Sequence, residues 1–121
     1  MIRFEGLYIC RSLRTDGSGV TLVECFSKSG GHVPQLVLFA KLLGLRRGVK
    51  ATFSANVTRI DQAGSELILE DYFKVVPPLD RTGPVEVAAF FMLDRELVQG
   101  DYLATLTLES GEQESATFEI E

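Results

Sequence analysis

GDYLATLTLESGEQESATFEIE, residues 100–121, decides the fold. Tyr102, Ala104, Leu106 and Leu108 fall on one side of an extended chain, with Leu103, Thr105, Thr107 and Glu109 on the other. Past Ser110 and Gly111 the alternation resumes, setting Ala116, Phe118 and Ile120 against Ser115, Thr117, Glu119 and Glu121. A period of two with one apolar side marks half-buried antiparallel strands. Parity then limits the loop. A three-residue connection, Glu109-Ser110-Gly111 or Ser110-Gly111-Glu112, keeps both apolar sets on one face, and a two-residue connection does not.

Six more strand-like segments precede this hairpin, giving about eight in all: 2–12, 20–27, 35–43, 49–60, 66–76 and 85–93. Asp16-Gly17-Ser18-Gly19 and Asp61-Gln62-Ala63-Gly64 read as tight turns, since Asp and Gly tolerate left-handed backbone. Ser29 to Pro34 reads as a flexible loop. Pro77, Pro78, Gly83 and Pro84 mark a rigid connection, because proline cannot donate to a sheet ladder. In 49–60, Val49, Ala51, Phe53, Ala55 and Val57 point inward. Segment 34–44 leaves two readings open. A short helix fits the Pro34 start, the Gly44 stop and a Leu36, Phe39, Ala40, Leu43 stripe. A strand is preferred for a run that is apolar all round, Val37, Leu38 and Leu42 included. Short strands separated by regular turn signals predict an all-β, two-sheet antiparallel sandwich. At 121 residues the chain is one domain, 1–121.

Apolar residues are 45% of the chain and charged residues 24%, a balance that excludes wholesale disorder. The net charge of −5 opposes nucleic acid, whose binding rests on neutralising phosphates. Residues 1–20 carry no targeting pattern, and the apolar run 36–40 is too short to span a bilayer, so a cytoplasmic protein off the membrane is expected. Two cysteines, Cys10 and Cys25, are too few for a disulfide framework and are expected as thiols. A turn centred between Gly17 and Ser18 makes them cross-strand neighbours.

The succession LYIC, DGSG, TLVECF, a Pro followed by LVLFAKL, and the closing VQGDYLATLTLESGE…TFEI resembles a family of small bacterial proteins of unknown function with an immunoglobulin-like β-sandwich. The resemblance covers most of the chain and implies that fold. It implies no catalytic residues, and fold alone carries no function. The spacing Leu97-x-x-Gly100-x-Tyr102 also resembles a tyrosine corner, in which the hydroxyl bonds nearby backbone.

Catalytic chemistry is poorly supplied. His32 is the only histidine, and nothing at metal-ligand spacing flanks it. Cys10 follows an apolar run and Cys25 lies between Glu24 and Phe26, so both are expected to pack as small hydrophobes rather than serve as nucleophiles. The glycines of 17–19 and 29–31 lack a phosphate-binding frame. The C-terminal glutamates are spread along a hairpin instead of converging on a calcium ion. A non-enzymatic protein with no cofactor and no metal is expected.

Two surface features remain. Lys41, Arg46, Arg47 and Lys50 surround the 44–48 turn, either as a solvated turn or as a contact for an acidic partner. In 85–93, Val87, Ala89, Phe91 and Leu93 face the core, leaving Ala88, Phe90 and Met92 outside. Segment 35–43 repeats the pattern, with Val37 and Phe39 opposite its core set. A sheet in a sandwich has one buried face, and outer apolar patches mark interaction sites. Phe90, Met92, Ala88, Val37 and Phe39 are therefore the interface candidates. The expected function is a non-catalytic interaction module working through protein–protein contact, with itself as a homodimer or with another protein. The alternative is a small-molecule or carbohydrate binder using Tyr8, Tyr72 or the 28–34 loop.

Overall fold

The computed structural model describes residues 2–16, 19–30, 32–80, 83–94 and 96–121. Its nine strands are β1 (Arg3–Asp16), β2 (Gly19–Cys25), β3 (Lys28–Ser29), β4 (Gln35–Leu43), β5 (Ala51–Asp61), β6 (Gly64–Val75), β7 (Val85–Met92), β8 (Gly100–Leu108) and β9 (Gln113–Ile120). They form a four-stranded sheet in the order β2-β1-β4-β7 and a five-stranded sheet in the order β3-β9-β8-β5-β6. Every neighbouring pair is antiparallel except β3 with β9. Among the described residues no segment is helical, so 35–43 is a strand.

The terminal hairpin takes the predicted three-residue loop. Leu108 N–H donates to the Glu112 carbonyl at 2.8 Å, and Gly111 N–H donates to the Leu108 carbonyl at 2.8 Å. Glu109, Ser110 and Gly111 therefore form the loop, with Gly111 at φ 107 supplying the left-handed residue that closes it. Tyr102 pairs with Phe118 and Ala104 with Ala116, so the apolar sets share a face. Tyr102, Ala104, Leu106, Phe118 and Ile120 are all buried.

That face meets the inner face of the other sheet. Ile9, Leu36, Leu38, Ala40, Leu42, Val85, Val87, Ala89 and Phe91 come from the four-stranded sheet; Phe53, Ala55, Val57 and the hairpin set come from the five-stranded one. Each fully buried Leu, Ile, Val or Phe contributes roughly 1.5–3 kcal/mol of transfer free energy. Tyr102 stacks on Phe118 with centroids 5.2 Å apart, and Phe26 meets Phe118 edge-on at 5.8 Å. The Tyr102 hydroxyl donates to the Val98 carbonyl, forming the tyrosine corner that locks the entry to β8.

Several boundaries depart from the sequence reading. The strand β1 runs to Asp16, past the expected end at residue 12. The short β3 lies inside the expected 28–34 loop. Val49 is exposed ahead of β5 rather than inward, because Gly48 N–H is drawn to the Pro77 carbonyl at 2.9 Å and the strand starts only at Ala51. The 61–64 turn is as read, with Ala63 N–H donating to Asp61 Oδ1 at 2.8 Å. The predicted turn at 16–19 falls on Gly17 and Ser18, which lie outside the described residues; the Asp16–Gly19 pairing brackets it.

Candidate interaction surface

Register places the candidate residues on the outer face of the four-stranded sheet. Cys25 pairs with Cys10, Cys10 with Val37, and Val37 with Phe90, so these four side chains form one row across β2, β1, β4 and β7. The adjacent row carries Tyr8, Phe39 and Ala88, and Met92 pairs with Gln35 beyond Phe90. Directly opposed residues share a face, and Cys10, Val37 and Phe39 all lie outside the sandwich core.

Exposure divides the interface candidates. Phe90 is 43% exposed and Met92 76%, while Ala88 is half-buried. Val37 and Phe39, expected at the surface, are 0% and 4% exposed. The cause is their place on β4, with β1 on one side and β7 on the other. Neighbours on both strands flank them, with Tyr8 beside Phe39 and Phe90 beside Val37, and both are buried where Tyr8, Phe90 and Met92 are exposed. Sequence parity identified the outward set but not which members their neighbours would cover.

The same sheet order exposes an edge. The strand β7 is outermost, and Leu93 N–H donates to the Pro34 carbonyl at 2.9 Å. Hydrogen-bonded and non-hydrogen-bonded pairs alternate along an antiparallel ladder. Phe91, Ala89, Val87 and Val85 therefore bond β4, while Glu86, Ala88, Phe90 and Met92 turn their N–H and C=O groups away from it. The strand has no Pro, no Lys and no register shift to blunt that edge.

At the opposite edge, Cys25 is exposed rather than packed, since β2 has a neighbour on one side only. Cys10 is buried, and both are free thiols. Burial pushes the Cys10 thiol from 9.0 up to about 12, helped by its hydrogen bond with Cys25 and the charge Cys25 can carry. Beside Cys25, Glu24 is held at φ 53, an uncommon conformation for a residue with a side chain. Arg11 lies against it, with Nε 3.3 Å from Glu24 Oε2, while its guanidinium also donates to Ser29 Oγ and sits 5.9 Å from the Phe26 ring centroid.

The basic candidates do not converge on a free patch. Arg47 donates to the Gly83 carbonyl at 2.6 Å and to the Pro78 carbonyl at 3.4 Å, clamping the 44–50 turn to the proline-rich connection. Lys41 stands opposite Glu86 on the outer face, whereas Lys50 leads into β5 of the other sheet. Arg46 is exposed.

The groups of the alternative reading are scattered. Tyr8 lies on the outer face of the four-stranded sheet, and Tyr72 lines a 260 Å³ cleft with Phe53, Ser54 and Thr107 on the five-stranded sheet. His32 lines a 270 Å³ cleft with Asp94 and Glu96, its Nδ1 3.7 Å from Glu96 Oε1. A third cleft of 310 Å³ opens between Ile2, Leu45 and Leu108. Among the described residues, no group of three or more His, Cys, Asp or Glu side chains is placed to hold a metal ion, and no helix is long and apolar enough to cross a membrane.

The two sheets, the parallel contact of β3 with the last strand and the tyrosine corner define an immunoglobulin-like β-sandwich. The chain is similar in structure to an immunoglobulin-like protein from Pseudomonas aeruginosa, with a TM-score of 0.53 at 13% identity, covering 100% of this chain and 97% of that one. It is also similar to part of the Pseudomonas fluorescens alkylpurine DNA glycosylase AlkC, solved bound to DNA containing an abasic site analog. That match has a TM-score of 0.56 at 10% identity and covers 98% of this chain, which spans only 30% of the glycosylase chain. No protein-family model matches the chain, and no curated protein matches it by sequence.

Proposed function

We propose that the chain is a non-catalytic, cytoplasmic interaction module acting through protein–protein contact, and that its partner is a second copy joined along β7. The carrying observation is the coincidence on one strand of an open backbone edge and an apolar outer face. Two copies of β7 related by a two-fold axis pair antiparallel. Centred on Ala89, that pairing sets Ala88 of one copy against Phe90 of the other, and Glu86 against Met92. It satisfies the edge backbone groups and extends the apolar outer face across both copies, as the isologous geometry of a two-fold dimer requires.

Phe90→Glu tests the proposal. It charges the outer face while sparing Phe91 in the core, and it sets like charges near Glu86 of the opposing copy. Sedimentation equilibrium should report a dimer for the wild type and a folded monomer for the variant. A wild type that stays monomeric at high concentration sinks the homodimer reading.

Other readings have less support. Tyr8, Tyr72 and the His32 loop lie on separate surfaces, and the clefts sit at or below the small end of ligand pockets, roughly 300–1,000 Å³. The likeness to a DNA-bound glycosylase carries no DNA contact to this chain, whose charge of −5 opposes phosphate.

A further inference from the structure

The row Cys25, Cys10, Val37, Phe90 brings two thiols together at its outer end. Phe26 N–H donates to the Ile9 carbonyl at 2.9 Å, which makes Ile9–Phe26 a hydrogen-bonded pair. The next pair along, Cys10–Cys25, is then non-hydrogen-bonded, the position where opposed Cα atoms approach to about 4.5 Å. That spacing lies within the range a disulfide spans, roughly 4.4–6.8 Å between Cα atoms. One thiol is open to solvent and the other is sealed beneath the outer face. The exposed one adjoins Glu24, in its uncommon backbone conformation.

We propose that Cys10 and Cys25 form a reversible dithiol–disulfide site that exchanges with low-molecular-weight disulfides of the glutathione type. Exposure orders the steps. The Cys25 thiolate attacks one sulfur of the small disulfide, forming a mixed disulfide and expelling one small thiolate. Cys10 then attacks Cys25 Sγ, expelling the second small thiolate and closing the Cys10–Cys25 bond. Two electrons pass from the pair to the small disulfide, which leaves as two thiols carrying the two cysteine protons. Cys10 cannot act first, because it is buried and its proton is held tightly. Once Cys25 is capped, the charge on Cys25 no longer opposes ionisation of Cys10, and only burial does. The second step is therefore the slower one. The closed bond ties the edge strand β2 to β1 at the end of the row that reaches Phe90 on β7.

Native protein incubated with oxidised glutathione, then acid-quenched, alkylated and weighed by intact mass spectrometry, tests this. The wild type should lose both titratable thiols and two hydrogens, retain no glutathione, run as a single chain on a non-reducing gel and recover both thiols with dithiothreitol. Tm should rise by roughly 10 °C on closure. Cys10→Ala should stop at one glutathione on Cys25, and Cys25→Ser should take up none. A wild type that keeps its glutathione adduct, or cross-links between chains through Cys25, overturns the site, as does modification of Cys10 in the folded Cys25→Ser protein.

Discussion

Replacing Phe118 with alanine probes the packing between the two sheets. The ring is buried, stacked on Tyr102 at an interplanar angle of 12° and met edge-on by Phe26 at 90°. Truncating a buried Phe costs roughly 3–5 kcal/mol, combining lost transfer energy with the cavity left behind. Two considerations set the place within that range. Both aromatic contacts vanish, each worth about 0.5–1.5 kcal/mol beyond burial, which pushes the cost up. On the other side, β9 has only the two-residue β3 as its outer neighbour, so the site can partly collapse. The expected loss is about 4 kcal/mol, a large share of the roughly 5–15 kcal/mol typical of a domain. With a urea m-value of roughly 1–3 kcal/mol/M, the midpoint should fall by about 2 M at unchanged m. Phe118→Leu keeps most of the buried volume and should cost about 1.5 kcal/mol. Thr117→Ala, one residue along on the exposed face, should stay within about 0.5 kcal/mol. A Phe118→Ala loss below about 1 kcal/mol refutes the packing described for this hairpin.

Tyr102→Phe removes the donor to the Val98 carbonyl while keeping the ring, and should cost about 1 kcal/mol in the same urea measurement; an unchanged midpoint means that the corner does not contribute. Alkaline pH should destabilise the fold through Cys10. Its folded pKa of about 12 lies above the ordinary thiol value of 9.0, so the buried neutral thiol contributes fully below pH 9 and is lost as pH rises toward 12. The total is up to roughly 4 kcal/mol, and Cys10→Ala should remove that part of the decline; parallel stability curves for the two proteins between pH 8 and 11 would contradict it. Tyr102, also raised by burial, adds a decline of the same sign that both proteins share.

Local periodicity determined much of this protein. Alternation placed the hairpin faces and parity limited the loop to three residues, because side-chain direction in a strand depends only on odd or even position. The same arithmetic paired Cys10 with Cys25 and separated Ala88, Phe90 and Met92 from the core set of β7. Only the tertiary structure decided which strands lie at the edges, since strand order is set by pairings between segments distant in the chain. That order leaves Phe90 and Met92 open on β7 and Cys25 open on β2. It buries Val37 and Phe39 on β4, although all five side chains point to the same outer face. Arg47 makes the same point: its charge was legible in the sequence, but its capture by the Pro78 and Gly83 carbonyls required two loops to meet. Exposure belongs to the neighbours a residue acquires, and those neighbours come from elsewhere in the chain.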